Sequence, residues 1–250
     1  MNTVNKLTRA ACVSLALFFS PALWADTLPF MMEWSLGKQL AMESMKEWGL
    51  PIKNKKIHKY VNFTAVAVGM NSLRPHMNYR VVILDNEKIK ARGFPGGLIV
   101  ITKGLLKTLA NEAELAGVLA HHIAHITHRH DLKTLEQSPL SKKLKNLDAT
   151  NPEHLKSPPF QKAVTRLKQS VFRQHAHTKH MALEADNAAV ESLYRTGYDP
   201  RSLLHVLKKN QPHFAKARIK TLKQKLAAYD DLDDTTRVAK RFEKRMKKLK

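Results

Sequence analysis

From Met31 to Trp48 the apolar positions Met32, Leu36, Leu40, Met45 and Trp48 recur at helical spacing, and Ile57 to Met70 repeats the pattern. Tyr79-Arg-Val-Val-Ile-Leu84 is a β-branched run closed by Asp85-Asn86, which predicts a strand and its turn. A second strand, Leu98-Ile-Val-Ile-Thr102, follows Pro95-Gly96-Gly97. Gly104 then opens a helix, and a break at Asn111-Glu112 separates it from a longer apolar helix that carries His121, His122 and His125. Between Asp131 and Pro159 the periodicity weakens while Lys, Ser, Pro and Asn accumulate, which predicts a loop or a loosely helical excursion. A long helical pattern resumes from Phe160 to Tyr194, Gly197 stops it, and Asp199-Pro200 starts the next helix. The whole predicts an α+β fold, mostly helical, with a short sheet whose edge borders the histidine helix.

A length of 250 residues with 43% hydrophobic content suffices to bury one core. Lys6 and Arg9 precede an apolar run from Ala10 to Phe19, and Pro21-Ala-Leu-Trp-Ala25 supplies a small-residue end. That order predicts a signal peptide over residues 1–25 with cleavage after Ala25, since the run is shorter than the ~20 residues a membrane span needs. The lone cysteine, Cys12, falls within it, so the exported protein is expected to have no disulfide, thiol nucleophile or cysteine ligand. The expected location is the periplasm, at or near a membrane surface. A formal charge of +22 would mark a nucleic-acid binder inside a cell. Export removes nucleic acid as a counterpart and leaves anionic lipid, lipopolysaccharide or acidic proteins.

The chemistry concentrates at His121-His122-Ile-Ala-His125. In an HExxH helix two His four residues apart grip one metal, and the Glu between them deprotonates the metal-bound water. Here that Glu is His122. Its loss removes a general base, a role typically worth roughly 10²–10⁴-fold.

Four blocks in order carry a family resemblance: Phe94-Pro-Gly-Gly-Leu-Ile-Val-Ile-Thr-Lys-Gly-Leu-Leu106, Asn111 to His130, Leu183-Glu-Ala-Asp186, and Thr196-Gly-Tyr-Asp-Pro200. With them the chain resembles the HExxH metallopeptidases related to the CAAX prenyl protease, peptidase family M48, and especially exported bacterial members that police outer-membrane assembly. The resemblance spans about Trp34 to Leu226 and implies a zincin-like metallopeptidase domain over residues 26–234, with residues 235–250 appended. It implies zinc held by His121, His125 and a Glu four residues before Asp186, with Asp186 orienting a ligand His. That third position is Ala182, which cannot coordinate a metal. The family's Thr-His-Pro before an Arg-Ile corresponds to Asn210-Gln-Pro ahead of Arg218-Ile, so its His is Gln211, and its Asn-Ala-Phe-Ala is here Lys90-Ala-Arg-Gly93. Zinc is therefore a doubtful cofactor. Candidate substitute ligands are His128, near the His121 face, and Asp186, on the Ala182 face; Glu184 lies about 200° from Ala182 around a helix. His175, His177 and His180 form a further cluster, and Glu112 and Glu114 read as capping and packing groups.

From Arg237 to Lys250, Val238, Phe242, Met246 and Leu249 trace an apolar stripe among eight Lys or Arg, which predicts a basic amphipathic helix. It either packs on the domain or lies on an anionic membrane. Three functions follow as expectations. The first is an inactive pseudo-protease that binds polypeptide or an envelope partner. The others are an active zinc metalloendopeptidase with an altered site, and a basic binder of anionic membrane surface.

Overall fold

A computed structural model describes residues 27–172, 177–210, 214–229, 232 and 235–249. The expected signal peptide, His175, Gln211 and the boundary at Asp234 lie outside the described residues.

Helix α1 (Phe30–Trp48) turns Met32, Leu36 and Leu40 inward and ends at Gly49. Helix α2 (Lys55–Gly69) starts at Asn54, whose side chain accepts the Ile57 N–H and satisfies one of the free donors of the first turn. The sheet holds β1 (Arg80–Leu84), β2 (Ala91–Phe94) and β3 (Leu98–Thr102) in the order β1-β3-β2. β3 pairs in parallel with β1 (Val81 opposite Ile99) and antiparallel with β2 (Arg92 opposite Val100).

All five residues of β3 are buried, because helices cover both faces of the sheet. Ile99 and Ile101 join one core with Val81, Ile83, α2 and the helices α4 (Glu112–Thr127), α9 (Lys179–Thr196) and α10 (Arg201–Asn210). Leu98 and Val100 face the opposite core, with α1 and α8 (Pro158–Val171). The fold is α+β and mostly helical, with the sheet beside the histidine helix α4, as the periodicity predicts.

Two differences from that reading have local causes, and the helical alternative holds between Asp131 and Pro159. β2 was not anticipated, because Ala-Arg-Gly-Phe has no β-branched residue; pairing with β3 imposes its extended form. The stretch between Asp131 and Pro159 holds three short helices, α5 (Lys133–Glu136), α6 (Pro139–Lys145) and α7 (Pro152–Lys156). Leu132, Leu135, Leu140 and Leu144 bury there, but helices of four to seven residues are too short to display a period. The pattern from Phe160 to Tyr194 is two helices, α8 and α9, and Thr178 begins the second by accepting the Met181 N–H.

Short α3 (Lys103–Thr108) links β3 to α4, and α11 (Ala215–Leu226) follows α10. The basic C-terminal segment forms α12 (Ala239–Met246). Its Phe242 is buried, Val238, Met246 and Leu249 pack against the first core, and Arg241 pairs with Glu112, which also accepts from Tyr60 and Tyr198. Glu114 accepts the Ala110 N–H while its own N–H goes to Asn111, so both acids serve the start of α4 and its packing. Among the described residues no helix is long and apolar enough to cross a membrane.

Candidate metal centre and groove

Helix α4 holds His121 and His125 one turn apart, and their Nε2 atoms approach to 3.1 Å. His121 Nδ1 lies 2.8 Å from Asp186 on α9, the helix packed along α4. Arg218 of α11 grips the same carboxylate through Nε and a terminal nitrogen, both at 2.7 Å. The guanidinium also lies 3.2 and 3.4 Å from the two ring nitrogens of His121. His122 faces a neighbouring groove, and its buried Nδ1 has no hydrogen-bond partner in the protein.

Burial, then the nearby charges of His121 and Arg92, holds His122 well below the usual imidazole pKa. Burial does the same to His125, helped by His121 and His177. Burial and Arg218 lower His121, with Asp186 pulling the other way. Burial alone would raise Asp186, but its bonds to Arg218 and His121 outweigh it and keep the carboxyl below its ordinary value. The imidazoles are therefore neutral at pH 7 and Asp186 is ionised.

A catalytic zinc ordinarily has three protein ligands and a base. This centre offers the two Nε2 atoms and an oriented His121, while Ala182, where the family resemblance implies the third ligand, is a buried methyl. A guanidinium 3.4 Å from His121 Nε2 adds a positive charge beside the pair. The donor set at His121 and His125 does not fit a catalytic zinc.

His177 stacks on His125 with ring centroids 3.7 Å apart and 13° between planes. Its Nε2 is 2.9 Å from Asp131, which Arg92 of β2 also holds at 2.5 Å. It is thus part of the centre, whereas His180 is exposed.

Sequence reasoning missed one grouping. After α4 the chain takes a left-handed turn at Arg129 (φ 55°), fixed by its bonds to Glu33 and Glu136. The turn folds His130 back, so that its N–H donates to the His125 carbonyl and its Nδ1 meets His125 Nδ1 at 2.8 Å. His128, His130 and Glu184 come together, one ligand atom from each lying within 4.8 Å of the others. His128-x-His130 was the available signal, but nothing in the pattern announces a left-handed arginine.

The groove, about 700 Å³, runs between the edge strand β2 and α4. Ala91, Arg92, His121 and His122 line it with Trp48, Phe172, Val206 and Leu207. Gly93 permits the close approach, since a Cβ there would stand 2.8 Å from the His122 carbonyl oxygen.

The model of Peptidase family M48 matches residues 51–226. The chain is 26% identical over 199 residues to the beta-barrel assembly-enhancing protease of Escherichia coli K12, covering 74% of this chain and 41% of that one. The Yersinia pestis protein of the same name gives 25% over 187 residues, 73% and 38% of the two chains. A Protease HtpX homolog of Acidiphilium cryptum is 46% identical over 57 residues, 21% and 20% of the two chains. The chain thus spans about two fifths of the beta-barrel assembly-enhancing proteases it matches. With a family model covering the sheet, the histidine helix, the Asp186 helix and Arg218, this chain belongs to peptidase family M48.

Proposed function

We propose that this protein handles envelope polypeptide as a binder and does not hydrolyse it. The observation that carries the reading is the state of the His121–His125 pair. Where the family resemblance implies the third ligand there is a methyl, where it implies the base there is an imidazole held neutral by burial, and Arg218 stands beside the pair. What remains is the groove with its edge strand, which suits an extended segment bound by main-chain hydrogen bonds with side chains in apolar pockets. The relatives named as beta-barrel assembly-enhancing proteases point the role toward outer-membrane proteins, and the amino-terminal pattern toward the periplasm.

The altered-protease alternative needs a metal held by two imidazoles, one short of the three protein ligands usual in a catalytic zinc site. The membrane-surface alternative loses support because the stripe of α12 is spent on the domain core. The test is digestion of a denatured outer-membrane protein by the purified chain, with and without added zinc, read by mass spectrometry. Intact substrate is expected in both; zinc-dependent, chelator-sensitive fragments would refute the reading.

A further inference from the structure

Four contacts run in line through the centre. Glu184 Oε2 meets His130 Nε2 at 2.9 Å, His130 Nδ1 meets His125 Nδ1 at 2.8 Å, His125 Nε2 meets His121 Nε2 at 3.1 Å, and His121 Nδ1 meets Asp186 at 2.8 Å. Each contact needs one hydrogen between its two heteroatoms. Three neutral imidazoles carry one each, and the two terminal carboxylates only accept. The line is one hydrogen short, so one contact must be bridged by an extra proton or by a metal cation.

A metal has two places to go. Between the Nε2 atoms of His121 and His125 it would find two donors and the Arg218 guanidinium. Between His130 and Glu184 it finds a third donor, because His128 Nδ1 lies 3.3 Å from the other Glu184 oxygen. The rings of His128 and His130 are nearly parallel, with centroids 5.4 Å apart, and the buried Nε2 of His128 has no partner in the protein.

We propose that His128, His130 and Glu184 form a second metal site, displaced from the HHxxH pair, which binds one first-row divalent cation such as zinc. Two imidazoles and a carboxylate with an open fourth position are a donor set zinc accepts, and calcium does not favour nitrogen ligands. His130 lies 2.9 Å from one Glu184 oxygen and His128 3.3 Å from the other, and one donor atom from each residue falls within 4.8 Å of the rest, so the three surround one small space. With metal on His130 Nε2, the remaining hydrogens fall into one direction: His130 Nδ1–H to His125, His125 Nε2–H to His121, His121 Nδ1–H to Asp186. The second site thereby fixes the tautomers of the HHxxH pair as a neutral hydrogen-bonded relay and ties the end of α4 to α9. Lys133, whose Nζ is 3.7 Å from Glu184, opposes the ion, but its side chain is 44% exposed and its ammonium can withdraw into water. None of the three ligands lines the groove.

The experiment is titration of the purified full chain with zinc and with cobalt(II), followed by calorimetry and the visible cobalt spectrum, on the native protein and on Glu184→Gln, His128→Ala and His121→Asn. One equivalent is expected in the native protein and in His121→Asn, with binding more than about 100-fold weaker in the other two. Lys133→Met should tighten it. Long-range proton–nitrogen spectra of the zinc-loaded native protein need no variant and should show His130 protonated on Nδ1. Loss of metal in His121→Asn with retention in Glu184→Gln, His130 protonated on Nε2, or no binding of either metal would each overturn the proposal.

Discussion

Replacing Arg218 by Met tests the electrostatic design of the centre. Arg218 and Asp186 are both buried, and their two bonds of 2.7 Å offset the burial of the carboxylate. Removing one partner of such a pair leaves an uncompensated buried charge, at a cost of about 3–5 kcal/mol. For a chain of this size, about 2–4 °C per kcal/mol turns that into a fall in Tm of roughly 6–20 °C at pH 7. The pH dependence gives the sign. In the native protein the Asp186 carboxyl is lowered, so its contribution is present above the unfolded pKa of about 3.9 and is lost as pH falls through the lower folded value. In Arg218→Met burial prevails and raises the carboxyl. The folded variant then takes up a proton before the unfolded chain does, and its deficit shrinks as pH is lowered toward 4. Adding Asp186→Asn should recover most of the loss, because the orphaned charge is gone. Urea titrations from pH 7 to 4 measure all three proteins. A deficit under about 1 kcal/mol, a deficit flat in pH, or a double variant as unstable as the single one would refute the reasoning.

Three further outcomes are expected. Restoring both lost groups with His122→Glu and Ala182→Glu should add one equivalent of zinc that depends on His121, read by elemental analysis; no gain would mean the site is closed by more than these two positions. Because His121, His122, His125, His130 and His177 are all lowered in the folded state, the unfolded chain binds more protons below its histidine pKa of about 6.5. Stability should therefore fall as pH drops from 7 to 5, by up to about 1.4 kcal/mol per pH unit for each histidine, and a stability flat over that range would contradict the assignment. Phe242→Ala should cost about 3–5 kcal/mol in the docking of α12 and increase salt-sensitive adhesion to anionic vesicles; unchanged protease sensitivity of the C-terminal segment would show that the helix does not depend on that anchor.

The helices α1, α2 and α4 and the strands β1 and β3 were legible because each repeats its period over several turns or residues. β2 was not, since its extended form comes from pairing with β3 and its Gly93 serves the contact with α4. The centre was legible only in part. His121 and His125 stand four residues apart on one helix, so spacing alone pairs them, whereas Ala182 and Asp186 enter only through what the family resemblance implies. His130 and Glu184 meet through a left-handed turn at Arg129 that a buried Glu33 holds from α1, 96 residues earlier in the chain. His177 reaches His125 by way of Asp131 and Arg92, again from separate elements. Contacts of that kind depend on how elements pack, and no local spacing encodes them.

The central claim is that the groove holds polypeptide which the histidine pair leaves uncut. Its most direct measurement is the anisotropy of a labelled extended peptide from an outer-membrane β-barrel protein, titrated with the purified chain, with the peptide weighed by mass spectrometry at the end point. Saturable binding of intact peptide is expected, and it should be lost in Ile89→Asp, which puts a charge on the exposed rim of the groove. A cleaved peptide would contradict the loss of catalysis, and no binding, or binding indifferent to Ile89→Asp, would contradict the groove.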